Sequence, residues 1–189
     1  MIVIGLTAPI GSGKNEFATA LEHMGFFRIN IAEILEREAL LKGLHSDWES
    51  LQDLGDTLRQ THGASYLAKK ALAVINASSS KLYLVNGIKN PAEVIFLQEN
   101  LATSFKLIGL KANKQKRFFK LLNSTGVKQV TNIEEFEKLN ARDFGEGQPE
   151  WGHQVSKCLE LADLSVDLSK VTPQGIIDEA ELSLKLLKL

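Results

Sequence analysis

The chain has 189 residues, 44% hydrophobic and 24% charged, with 22 Lys and Arg against 23 Asp and Glu for a net charge of -1. These proportions exclude disordered, collagen-like and coiled-coil chains, and without a basic excess a dedicated nucleic-acid or membrane-surface binder is not expected. The single cysteine, Cys158, excludes an intrachain disulfide and a cysteine-rich zinc site.

In chain order, Ile2 to Leu6 is a short β-branched run that reads as a buried strand. Helical spacing follows over Lys14 to Met24, then a weaker strand over Phe26 to Ile29. Three helices are expected next, over Ile31 to Lys42, Trp48 to His62 and Ser65 to Asn76. Leu82 to Val85 reads as a strand, and Pro91 opens a helix to Asn100, where its missing N–H costs little. Phe105 to Leu110 is a strand, and Lys114 to Leu122 a helix. The segment 123–149 holds Gly126, Gly145 and Gly147 around a short charged helix, for which Thr131 and Glu134 offer a capping box; it reads as a flap or lid. A helix over Trp151 to Ala162, a weak strand over Leu164 to Leu168 and a helix over Pro173 to Leu187 complete the chain. The last carries an apolar stripe of Ile177, Ala180, Leu184 and Leu187, expected to dock on the domain, because Asp178, Glu179 and Glu181 would repel an anionic membrane. Alternating strands and helices point to an α/β domain with a parallel sheet, residues 1–189 forming one unit. No apolar run approaches the ~20 residues that span a bilayer, and a cytoplasmic setting is expected.

The most informative stretch is Gly5-Leu6-Thr7-Ala8-Pro9-Ile10-Gly11-Ser12-Gly13-Lys14-Asn15, lying between a strand and a helix. That is the context of a phosphate-binding loop. Gly11 and Gly13 let successive N–H groups turn inward, the helix adds its positive dipole end, and Lys14 supplies a full charge for the β- and γ-phosphates. Ala8 to Asn15 are thus the candidate ATP-binding residues, with Lys14 catalytic. The pattern departs at both ends: Ala8 replaces glycine, and Asn15 replaces the Ser or Thr whose hydroxyl serves Mg²⁺. An amide oxygen can hold a hard cation, so Asn15 is the candidate metal ligand.

On this loop the chain resembles nucleoside monophosphate kinase-like P-loop proteins, and more narrowly dephospho-CoA kinase-like and deoxynucleoside monophosphate kinase-like ones. Leu54-Gly55-Asp56-Thr57-Leu58-Arg59 with His62-Gly63, Leu84-Val85-Asn86-Gly87-Ile88-Lys89-Asn90-Pro91, and Ala141-Arg142-Asp143-Phe144-Gly145-Glu146-Gly147 with Glu150-Trp151-Gly152 add weaker echoes. The resemblance implies a three-layer P-loop NTPase fold, with a five-stranded parallel sheet, helices on both faces and a small lid over the nucleotide. It implies transfer of the γ-phosphate of ATP, with Mg²⁺, to a small nucleotide-like acceptor, either a nucleoside or deoxynucleoside monophosphate or dephospho-CoA. The expected partners are small-molecule nucleotides, without nucleic acid or membrane, on a monomer or homodimer.

The family binds its acceptor between the second and third strands, here about 31–77, which makes Arg37 and Arg59 candidates for the acceptor phosphate. Similar kinases set arginines near Arg117 against ATP, and a lid arginine, here Arg142, on the γ-phosphate. The third-strand motif places Asn86 and Lys89 beside the substrate, where Asp and Arg are common. Glu33, after the second strand, is the remaining candidate for the base. Softened charge at Asn15, Asn86 and Lys89 favours an alternative, a nucleotide-binding switch with weakened catalysis. The four histidines are scattered: His45 and His62 near Trp48 could line an acceptor pocket but read rather as helix-end or surface groups, His153 beside Trp151 has no partner spacing for a metal, and Cys158 reads as a buried packing thiol.

Overall fold

The β-branched runs form strands covered on both faces. The computed structural model describes residues 1–124 and 129–189, so the lid expectation at Gly126 lies outside the described residues. The strands are β1 (Ile2–Thr7), β2 (Phe27–Asn30), β3 (Leu82–Asn86), β4 (Phe105–Lys111) and β5 (Leu164–Asp167). They make one parallel sheet in the order β2-β3-β1-β4-β5. The described helices are α1 (Lys14–His23), α2 (Ile31–Leu41), α3 (Trp48–His62), α4 (Tyr66–Ala77), α5 (Pro91–Leu101), α6 (Lys114–Leu122), α7 (Ile133–Phe144), α8 (Val155–Glu160) and α9 (Gly175–Leu186).

The period-2 alternation of the strands divides the core into two layers. Val3, Tyr83, Val85, Phe105 and Leu107 face one way, onto the helices from α2 to α5 and α8. Ile4, Leu6, Leu84, Ile108 and Leu110 face the other way, onto α1 and α9. Gly5 is required by this packing, since a Cβ there would lie 2.8 Å from side-chain atoms of both Ile88 and Phe105. A smaller cluster of Ile10, Leu121, Val130 and Phe136 joins the loop after β1 to α6 and α7.

The chain leaves β1 into α1 on one face and leaves β3 into α5 on the other. A crevice therefore opens at the carboxyl ends of these neighbouring strands, where ligands of open α/β sheets bind. The register sets Asn86 opposite Leu6, beside the start of the loop. The Gly87 and Ile88 amides donate to Leu6 O at 3.1 Å, and Thr7 Oγ1 donates to Ile88 O at 3.0 Å.

Three local expectations need correction. The helix expected over Trp151 to Ala162 is confined to Val155–Glu160. The Asn90 side chain donates to Glu150 O and Gly152 O at 2.7 and 2.8 Å, which holds those carbonyls off a helical ladder. The cap of α7 is Asn132, whose side chain accepts from Glu135 N at 2.8 Å, while Thr131 pairs with Glu135 instead of Glu134. The buried stripe of α9 holds Ile176 and Ala180, leaving Ile177 exposed, and the helix docks on the α1 face as expected. Among the described residues no helix is long and apolar enough to cross a membrane.

One buried charge pair joins α3 to α5. Arg59 on α3 and Glu93 on α5 are 1% and 0% exposed, with Arg59 Nε 2.8 Å from Glu93 Oε1. Glu93 Oε2 accepts the Lys89 and Asn90 amides at 3.0 and 3.2 Å, completing the cap of α5. Removing one member of such a pair strands the other charge. Glu93→Gln is expected to lower stability by about 3–5 kcal/mol, read as a lower urea midpoint with unchanged slope.

Candidate functional site

A cavity of about 510 Å³ occupies the crevice, within the usual range of roughly 300–1,000 Å³ for small-molecule sites. Every residue from Ala8 to Asn15 lines it. Gly11 and Gly13 take φ of 76° and 92°, and a Cβ at Gly11 would come within 2.7 Å of Arg117 O. The first N–H groups of a helix lack intrahelical partners. Asn30, Asp47, Asn90, Asn113 and Asn132 cap α2, α3, α5, α6 and α7 with their side chains, whereas Gly13 leaves α1 with no side-chain cap. The residues at this helix start, Gly13 to Glu16, line the cavity.

Lys14 Nζ donates to Asn86 Oδ1 at 2.8 Å, and Asn86 is fully buried behind the lysine, outside the cavity wall. Asn86 therefore positions Lys14, and the expectation of direct substrate contact is corrected. Lys120 on α6 pairs with Glu16 and lies with its Nζ 3.8 Å from where a Cβ on Gly13 would stand. It adds a second ammonium group at the mouth of the loop.

The opposite wall is built by α2 and α3. Trp48, Leu51, Gln52 and Arg59 of α3 line it with Ile31, Leu35 and Glu36 of α2. Ser12 Oγ, Gln52 Oε1 and Arg59 Nη1 are buried atoms without a hydrogen-bond partner, on residues that all line this one cavity. Native proteins rarely leave such groups unsatisfied, and a water, an ion or a ligand commonly completes them. Arg59 Nη1 lies 3.5 Å from Asp56 Oδ1 as an ion pair, and Asp56 Oδ1 also lacks a hydrogen bond.

Several expectations at this site are corrected. Glu33 is exposed outside the cavity wall, accepting from Asn30 Nδ2 at 3.3 Å; Glu36, one helical turn further, is the α2 carboxylate at the wall. Arg37 is also exposed and away from the cavity, because it falls on the outer face of α2. Arg142 pairs with Asp53 and Asp56 of α3 at 2.6 and 2.8 Å and does not reach the cavity. It clasps α7 to α3. Arg117 is buried beneath the loop, donating to Ile10 O, Ala112 O and Asn140 Oδ1 at 3.2, 3.1 and 2.7 Å, with Phe136 and Phe144 against its guanidinium. Burial pulls its pKa down, against Asp143 and Glu137. It holds the loop from behind and does not line the cavity.

The expected metal ligand does not fit a cation. Asn15 Oδ1 already accepts from Arg28 Nη2 at 3.2 Å and Asn86 Nδ2 at 3.4 Å. A guanidinium beside that oxygen repels a divalent ion, and neither amide brings negative charge. No cluster of three or more His, Cys, Asp or Glu suited to a metal occurs among the described residues.

Sequence reading missed the group at the centre of the site. Asp143, at the end of α7, is fully buried. Its Oδ2 accepts the Ile10 amide at 2.9 Å; its Oδ1 lies 2.5 Å from Lys89 Nζ and 3.3 Å from His153 Nδ1. Lys89 Nζ also reaches Ala8 O at 3.3 Å. Burial alone would raise the Asp143 carboxyl, but Lys89 and His153 hold it well below the usual range. Burial lowers His153, against the opposing pull of Asp143. Asp143 is thus a carboxylate and His153 a neutral imidazole. The only sequence signal was an acidic residue beside Arg142 in a glycine-rich segment.

No protein-family model matches the chain. A UPF0200 protein of Methanothermobacter thermautotrophicus is 29% identical over 150 residues, covering 78% of this chain and 74% of that protein. Among solved structures, TT1252 from Thermus thermophilus superposes with a TM-score of 0.63 at 16% identity, over 100% of this chain and 97% of that one. Shikimate kinase from Aquifex aeolicus gives 0.57 at 14% identity, over 100% and 99%. These likenesses establish the P-loop kinase-like fold, with its five-stranded parallel sheet between helices, and do not single out the dephospho-CoA kinase-like branch.

The neutral state of His153 has a consequence in solution. Its folded pKa lies below the ordinary value of about 6.5, so the unfolded chain takes up the proton first. Stability from this group is fully present above about pH 6.5 and is lost as pH falls from there toward the depressed folded value, by up to ~1.4 kcal/mol per pH unit. Urea unfolding from pH 7 to 5 is expected to show this loss in the wild type and a flatter profile in His153→Asn.

Proposed function

We propose that this protein is an ATP-dependent phosphotransferase that moves the γ-phosphate of ATP to a small anionic, nucleotide-like acceptor. The observation that carries this reading is one cavity with two ends. One end is the start of α1 with Lys14; the other is the buried guanidinium of Arg59, whose Nη1 makes no hydrogen bond. A polyphosphate at the first end places its terminal group toward an anion held at the second. Phosphoryl transfer needs such positioning and cations around the spreading charge more than covalent chemistry. Lys14, Lys89 and Lys120 line the same cavity and supply those cations.

Nucleoside and deoxynucleoside monophosphates and dephospho-CoA all fit the requirement for an anionic group with a flat apolar body beside Trp48 and Leu51. Mg²⁺ is expected to travel with the nucleotide, held by phosphates and water. Asn15 and Asn86 do not form its cage, and no step is assigned to it here. A second reading, binding without turnover, rests on the same two amides. They leave the loop without an anionic metal ligand and wire Asn15 to Arg28.

Purified protein mixed with Mg-ATP and a panel of these acceptors separates the two readings. Acceptor-dependent ADP formation is the expected result, and tight ATP binding without ADP supports the switch. At ATP concentrations 100-fold above Kd, binding should stabilise the fold by ~2.7 kcal/mol, and Lys14→Ala should remove most of that gain in a thermal melt. Arg59→Lys keeps the charge but loses the planar fork. It is expected to lower kcat/KM for the acceptor about 10- to 100-fold, leaving ATP affinity unchanged, as loss of a hydrogen bond to a charged group of ~1.5–3 kcal/mol dictates.

A further inference from the structure

Transfer to a hydroxyl requires a group that takes up its proton. Transfer to a phosphate monoester does not, because its second pKa near 6 leaves it a dianion at neutral pH. The carboxylates at or near this cavity are poorly placed for the task. Glu33 is outside it, Glu16 is committed to Lys120, and Glu36 is solvent-exposed. His153 is different. It lines the cavity and is 6% exposed.

The tautomer of His153 follows from its partner. Asp143 is ionised and can only accept, so the ring nitrogen 3.3 Å from its Oδ1 must carry the hydrogen. A neutral imidazole protonated on Nδ1 has its lone pair on Nε2, which makes no hydrogen bond among the described residues. The orienting carboxylate is itself fixed, by Lys89 Nζ and by the Ile10 amide of the phosphate loop. An acid–base dyad is therefore tied to the loop that would hold the γ-phosphate.

We propose that His153, oriented by Asp143, is the general base of the phosphotransferase reading, on which this inference rests, and that the acceptor nucleophile is an alcohol on a molecule whose anionic group sits at Arg59. His153 Nε2 removes the hydroxyl proton as the oxygen bonds to the γ-phosphorus. The bond from that phosphorus to the β,γ-bridging oxygen breaks, and ADP leaves with the electron pair. The imidazolium then releases its proton to solvent. The charged groups around the ring are Asp143 on α7, which favours the protonated form, and Lys89 and Arg59, which oppose it. Once the proton is taken up, Asp143 stabilises the imidazolium.

The test has two arms. In the first, ¹⁵N-resolved NMR of the wild-type protein at pH 7 reads the His153 ring. The Nδ1–H neutral tautomer is expected; an Nε2–H tautomer or an imidazolium overturns the proposal. In the second, Mg-ATP is offered with dephospho-CoA and glycerol 3-phosphate, which present hydroxyls, and with AMP, CMP and dTMP, and ³¹P NMR identifies the product. A new phosphomonoester is expected, with His153→Asn lowering kcat about 10²- to 10⁴-fold at unchanged KM for ATP and removing the acidic limb of the kcat profile. Asn keeps a donor toward Asp143 and lacks the Nε2 lone pair. A diphosphate as the sole product, or His153→Asn within threefold of wild type on a hydroxyl acceptor, contradicts the base while leaving the kinase reading intact. ATP binding with no transfer to any acceptor contradicts the kinase reading and the base together.

Discussion

The site depends on one buried carboxylate. Asp143 accepts the Ile10 amide with one oxygen and meets Lys89 and His153 with the other. These groups come from the phosphate loop, the β3–α5 connection and the turn before α8. Burying an ionised carboxylate is costly unless it is paired and hydrogen-bonded. Here both oxygens are used, so the cost is offset only when all three segments are in place. Arg117 completes the hold from the other side by taking Ile10 O. Both its N–H and its carbonyl are thereby engaged, which fixes Ile10 at the cavity wall.

The second feature is how charge is distributed around Lys14. Its ammonium donates to Asn86, a neutral group. Asn15, Asn86 and Arg28 form a hydrogen-bonded chain where a cation-ligating hydroxyl and carboxylate were expected. On the proposed function, the loop would meet anions with protein cations and amide dipoles and depend less on a resident metal site. Acidic groups lie at the margins: Glu16 on Lys120, and Asp53 and Asp56 under Arg142.

The phosphate loop was legible because its signal is local: a β-branched strand, two glycines, a lysine and the start of a helix lie within fourteen residues. The strands and most helices were legible for the same reason, since periodicity is a short-range property. The arginine roles were not. Arg117 and Arg142 match positions where the resembling kinases set arginines against ATP and in the lid, yet which way a side chain points depends on neighbours far along the chain. Arg142 finds Asp53 and Asp56 on α3, 89 and 86 residues away. Glu33 and Glu36 project about 60° apart around the helix axis, and which of them faces the cavity is set by how α2 packs, not by the local sequence. Asp143 and His153 were unreadable as a pair because their meaning comes from Lys89, more than fifty residues earlier. Arg59 could be singled out from its motif, but its buried partner Glu93 could not.

The central claim is that one cavity seats a nucleotide polyphosphate at α1 and an acceptor anion at Arg59. A crystal structure with a non-hydrolysable ATP analogue tests it most directly. The account predicts the terminal phosphate between the amides of residues 11–15 and Lys14 Nζ, pointing toward His153 and Arg59. A triphosphate bound elsewhere, or a loop whose amides turn away from it, would contradict the account.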